Sequence, residues 1–177
     1  KALCKNTTGS SNTASGYMAL TTNTTASHNT AIGTCTLYAN TTGSHNSAFG
    51  GYALKANTCG ICNTSVGYAS MFTSSTGSCN AVFGHAAAYQ NTTGASNTAS
   101  GFKALFSNTT GNLNTAIGIC ALHANTTAGG NTALGGKALL ANTTGAGNTA
   151  SGYGALCANT TGTLNTASGQ FSMRGNS

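Results

Sequence analysis

Large aliphatic side chains return along this chain every 17 residues: Leu3, Leu20, Leu37, Leu54, Met71 and, past Ala88, Leu105, Leu122, Leu139 and Leu156. A column of small residues keeps the same interval, with Ala14, Ala31 and Ala48, then Ser65 and Val82, then Ala again to Ala167. Polar positions repeat as strictly: Asn12, Asn29, Asn46, Asn63, Asn80, Asn97, Asn114, Asn131, Asn148 and Asn165. The period is neither that of a helix nor that of a single strand; it is the length of a whole structural unit. Cut from Lys1, the chain is ten full copies (1–17, 18–34, 35–51, 52–68, 69–85, 86–102, 103–119, 120–136, 137–153 and 154–170) and a partial one, 171–177. No copy has an insertion or deletion. With the positions called slots one to seventeen, the unit reads x-Ala-Leu-x-x-Asn-Thr-Thr-Gly-x-x-Asn-Thr-Ala-x-Gly-x.

A short fixed period is the mark of a solenoid. Seventeen residues are too few for a helical hairpin repeat, which needs about 33 or more. They predict an all-β parallel β-solenoid, each coil built of two short strands and two turns, with Asn and Gly supplying the turns. The strand candidates are Asn-Thr-Ala-x-Gly and x-Ala-Leu-x-x. At about 4.8 Å per coil, ten coils make a rod of roughly 48 Å. Stacking puts like on like. Slot three becomes a core ladder of Leu, slot fourteen a ladder of Ala facing it, and the Asn columns of slots six and twelve bond from coil to coil at the turns. The whole chain is one repeat array, without linker or domain boundary.

Composition sharpens this picture. Pro is absent, as a stacked sheet requires, since Pro would remove a ladder donor in almost any slot. Asp and Glu are both absent, and the six cations give a net charge of +6. Lys1, Lys5, Lys55, Lys103, Lys137 and Arg174 fall in slots one, four and five, which reads as scatter and not as a nucleic-acid patch. No apolar run reaches the about 18 residues of a membrane span, and no signal peptide is present.

The outer slots carry the variation. Slot fifteen alternates away from slot fourteen and holds Ile32, Phe49, Val66, Phe83, Ile117 and Leu134 among serines. Slot four holds Tyr38, Phe72, Tyr89, Phe106 and Leu140. Apolar columns on a rod's flank favour pairing, so Ile32, Phe49, Val66, Phe83, Tyr38, Phe72, Tyr89 and Phe106 are candidate interface residues. Neither end reads as an atypical polar cap, so the array is expected to be a section of a longer fibre.

The unit Gly-Tyr-x-Ala-Leu-x-x-Asn-Thr-Thr-Gly-x-x-Asn-Thr-Ala-x-Gly, nearly whole in 16–33 and 152–169, resembles repeats of bacterial and phage fibre proteins. More loosely, Asn-Thr-Ala-Ile-Gly at 29–33 and 114–118 is similar to the head repeats of trimeric autotransporter adhesins. The resemblance covers the whole chain. It implies a left-handed β-roll, three chains per fibre and a role in surface attachment, on a cell or a virion. The seven cysteines depart from that pattern.

Candidate chemistry is sparse. Nine Asn-x-Ser/Thr sequons occur, eight of them in slot six, where neighbours about 4.8 Å apart leave no room for a glycan on each. Slot eleven reads His28, His45, Cys62, Cys79 in successive coils, with Cys59 nearby, a set too extended for one tetrahedral zinc; no metal is assigned. Cys62 and Cys79 stand one coil apart, within reach of a disulfide. No carboxylate accompanies any histidine, so no catalytic dyad can be built and no enzyme, catalytic residue or cofactor is expected. The reading is a structural fibre or adhesin segment, extracellular, on a cell surface or on a virion. Its partner is itself, as a trimer or filament, with a host surface or glycan as the outer partner and neither nucleic acid nor membrane insertion. The alternative is an ice-binding solenoid. Slots seven and thirteen give Thr columns for it, but the Thr pair of slots seven and eight points to opposite sides.

Overall fold

The computed structural model describes residues 1–174. It is an all-β solenoid in which ten parallel strands stack in chain order into one sheet, one strand for each 17-residue coil. The strands are β1 (Thr13–Ser15), β2 (Thr30–Ile32), β3 (Ser47–Phe49), β4 (Thr64–Val66), β5 (Ala81–Phe83), β6 (Thr98–Ser100), β7 (Thr115–Ile117), β8 (Thr132–Leu134), β9 (Thr149–Ser151) and β10 (Thr166–Ser168). Register is in phase throughout: Ala14 pairs with Ala31, Ala31 with Ala48, and so on to Ala150 with Ala167.

Each coil has one strand and not two. The segment x-Ala-Leu-x-x is coiled, because slots one and three are left-handed: φ is 54° at Ala69 and 49° at Met71, 52° at Lys103 and 54° at Leu105. The reason lies in the packing. Slot two and slot three are adjacent in sequence, yet both face inward; Ala104 and Leu105 are fully buried, as are Ala121 and Leu122. A strand would send one of each pair to solvent. Left-handed backbone costs a side-chain-bearing residue roughly 1–2 kcal/mol. Opposing that cost, the coil buries a Leu, worth about 1.5–3 kcal/mol, and keeps its ladder. Leu105 N–H donates to the Ala121 carbonyl at 2.9 Å, and Cys120 N–H to the Phe102 carbonyl at 2.9 Å.

Slot sixteen must be glycine. At Gly16 φ is 132°, and an added Cβ would lie 2.5 Å from the Gly33 carbonyl oxygen of the coil above. The core has two halves. Slots two, three and fourteen form an apolar half of Ala, Leu, Met71 and Val82. Where coil four places Ser65 in that half, the next coil answers with Ser70, and their hydroxyls meet at 2.6 Å. Slots six, nine and twelve form a polar half, in which every asparagine from Asn23 to Asn159 is buried.

Candidate functional site

The polar half is a continuous amide ladder. In slot six, Asn23 Nδ2 donates to Asn6 Oδ1 at 2.8 Å, and Asn40 Nδ2 to Asn23 Oδ1 at 2.9 Å. Each also donates to the slot-nine carbonyl of its own coil, Asn40 to Gly43 at 2.9 Å. In slot twelve each side-chain amide bonds twice to the next coil. Asn29 Oδ1 accepts the Asn46 N–H at 2.9 Å, and Asn29 Nδ2 donates to the Gly43 carbonyl at 2.9 Å. One slot-nine carbonyl therefore collects a side chain from each column. These engaged, buried amides are unsuited to carry glycans. The slot-six column breaks once, at Ser74. There the buried Asn57 Oδ1 and Ser74 Oγ both lack partners among the described residues.

Slot seven hydroxyls turn back into the ladder: Thr92 Oγ1 and the N–H groups of Thr92, Thr93 and Gly94 all converge on the Thr109 carbonyl, at 3.0 to 3.2 Å. Two of the remaining outer surfaces carry apolar or aromatic columns. The first is the sheet face, where slots thirteen and fifteen both point out. Phe83 is 45 % exposed, Ile117 44 % and Ile32 41 %, with Phe49 and Leu134 close behind, while Val66 is half-buried. Backbone pairing aligns Ile32, Phe49, Val66 and Phe83 into one unbroken column.

The second surface is a flank formed by slots seventeen, one and four. Its side chains stack along the rod. Phe72, Tyr89, Phe106 and His123 form one column, with ring centroids 5.0, 5.3 and 5.2 Å apart and planes within 14° of parallel. Tyr68, His85 and Phe102 form a second, at 5.4 Å intervals. Buried Ala69 and Ala86 in slot one lie between the two columns. Tyr52 closes the near end, meeting Tyr68 edge-on at 5.6 Å. Lys103 lies beside the end of the second column, its Nζ 5.4 Å from both Phe102 and Phe106. A cleft of about 390 Å³ opens at the near end among Tyr52, Lys55, Tyr68, Ala69, Phe72 and Tyr89. Burial first, and the charge of Lys103 second, hold the His123 imidazole below its ordinary range.

No protein-family model, curated protein or solved structure matches the chain.

The structure also places four of the six cations, Lys55, Lys103, Lys137 and Arg174, along this one flank. Slots one and four share this flank, so Lys55 lies 4.9 Å from the Phe72 ring and 5.6 Å from Tyr52, Lys137 is 5.9 Å from Tyr153, and the Arg174 guanidinium is 5.3 Å from Phe171. Read along the chain they look scattered; around the coil they form a stripe. Sequence reasoning missed this because slots seventeen, one and four are not neighbours in a strand. The left-handed turn at slot one brings them side by side.

Of the slot-four candidates, Tyr38, Phe72, Tyr89 and Phe106 are half-buried, and the last three spend their ring faces on one another. Slot eleven stacks His28 on His45 at 4.9 Å. Cys62 and Cys79 follow in the same column, exposed and unbonded; all seven cysteines are free thiols. No group of three or more metal-ligating side chains is assembled among the described residues. Among the described residues no helix is long and apolar enough to cross a membrane.

Proposed function

We propose that the chain is a structural segment of a self-assembling surface fibre, extracellular or on a virion, in which copies associate through the sheet face. The observation that carries this reading is the aligned column Ile32, Phe49, Val66 and Phe83, continued by Ile117 and Leu134, on the outer face of the sheet. Exposed apolar rows of this kind mark interaction sites. A parallel rod lends itself to closed cyclic assembly, and the repeat's resemblance to fibre proteins favours three chains. Slot fifteen is preferred over slot four because the slot-four rings are already partly covered within their own chain. The mechanism is mechanical: in-phase Leu, Ala and Asn ladders resist bending and extension. Sedimentation of the full chain is expected to give a trimer or higher filament, with Phe49→Ser/Phe83→Ser shifting it to monomer. A wild-type chain that stays monomeric at about 100 µM, well above a micromolar dissociation constant, would remove the proposal.

One observation favours the ice-binding alternative. Slots thirteen and fifteen lie on the same sheet face, so Thr-Ala-Ser in β1, β6, β9 and β10 repeats as an outward Thr–Ser pair. Phe49 and Phe83 project from the middle of that face and spoil its flatness. Thermal hysteresis by a monomer would establish this reading over the fibre.

A further inference from the structure

We propose that the basic aromatic flank binds a linear acidic polysaccharide laid along the rod. The charge distribution is one-sided. All six cations fall in slots one, four and five, and no Lys or Arg occurs in slots six to seventeen. No carboxylate side chain exists anywhere to neutralise them. Such an uncompensated stripe concentrates polyanions.

Spacing asks for a polymer and not a small ion. Lys55, Lys103, Lys137 and Arg174 belong to coils four, seven, nine and eleven. At about 4.8 Å per coil they are roughly 14, 10 and 10 Å apart, too far for one phosphate or carboxylate to bridge. An extended glycan bearing its acidic groups at regular intervals meets them in turn. The rings pre-organise the stripe: each of these four cations is held 4.9 to 5.9 Å from at least one aromatic ring centroid. A cation already positioned loses less freedom on binding.

Ring orientation argues against nucleic acid as the polyanion. Single strands bind by laying bases on aromatic faces. In the Phe72–Tyr89–Phe106–His123 column each inner face is covered by the next ring, and Lys55 lies over Phe72. The column turns ring edges outward, and edges carry the positive end of the quadrupole. Together with the ammonium groups, and the hydroxyls of Tyr52, Tyr68 and Tyr89 around the cleft, this suits carboxylates, sulfates and sugar hydroxyls. The inference stands apart from chain association, which uses the sheet face.

The test measures binding of full-length protein to heparin fragments and polygalacturonate, with dextran as the neutral glycan and a single-stranded oligodeoxynucleotide as the rival polyanion. At least one acidic glycan is expected to bind, with affinity falling steeply with salt, and dextran is not. Lys55→Gln/Lys103→Gln/Lys137→Gln is expected to weaken binding by roughly 100-fold at low salt, taking each surface cation at about a factor of five. The Phe49→Ser/Phe83→Ser variant keeps the flank intact and should still bind the acidic glycan and not dextran, with any loss attributable to lost multivalency. Unchanged binding by the lysine variant, equal binding to dextran, or tighter binding to the oligonucleotide would each overturn the assignment. So would the absence of binding to both acidic glycans.

Discussion

Replacing Ser74 by Asn closes the gap that interrupts the slot-six ladder between Asn57 and Asn91. In an intact coil, Asn108 Nδ2 donates to Asn91 Oδ1 at 2.7 Å and to the Gly111 carbonyl at 3.0 Å, and Asn108 Oδ1 accepts from Asn125 at 2.9 Å. At coil five the Ser74 hydroxyl reaches neither neighbour, which strands the buried Asn57 Oδ1 and leaves Asn91 Nδ2 with only the Gly94 carbonyl. An Asn at 74 restores three hydrogen bonds, each worth about 0.5–1.5 kcal/mol net, and supplies a donor to an acceptor whose burial alone costs about 1–3 kcal/mol. These terms overlap, and ordering the longer side chain costs up to about 1 kcal/mol. The expected gain for Ser74→Asn is roughly 2–4 kcal/mol. In a chain of this size each kcal/mol moves Tm by roughly 2–4 °C. The assay is denaturant unfolding of wild type, Ser74→Asn and Asn108→Ser, with hydrogen exchange to localise the effect, since stability in a stacked array is set between neighbouring coils. Asn108→Ser recreates the gap in a sound coil and should lose a comparable amount. Slower exchange is expected in coils four to six of Ser74→Asn. If Asn108→Ser is harmless, the ladder does not hold the coils together; if Ser74→Asn fails to stabilise while Asn108→Ser destabilises, the fifth coil is built for Ser and the reasoning about its gap is wrong.

Other outcomes follow from the same contacts. Gly101→Ala places a Cβ 2.6 Å from the Gly118 carbonyl oxygen at a φ of 139°, so it should cost more than about 1 kcal/mol, read by thermal melt. Leu122→Ala empties a fully buried core position and should cost about 2–5 kcal/mol in denaturant unfolding. His123 titrates below its ordinary value of 6.5 in the folded chain, first through burial and then through Lys103. The unfolded chain therefore takes up this proton first, and stability falls as pH drops below about 6.5. His123→Gln should flatten that part of the pH–stability curve, and an unchanged slope would show that other groups set it.

The coil length, the number of coils, their in-phase stacking and the all-β character were legible in the sequence. Each depends only on a 17-residue period without insertions, because a period of that length admits few units that can stack. The invariance of Asn12 to Asn165 likewise marks a position whose side chain must repeat to be satisfied. Alternation within Thr-Ala-Ile locates the strand and sends Ile32 outward, since a pleat leaves no other choice. Tertiary structure decided the rest. Ala2-Leu3 and its repeats read as a strand, and only packing shows both side chains turned inward through left-handed backbone. Whether Lys55 and Lys103 belong to one surface depends on how the chain bends at slot one, a property of the closed coil and not of local pattern. Linear spacing reports neighbours along the backbone; the stripe of rings and cations is made by neighbours around and between coils, which exist only once the rungs are stacked.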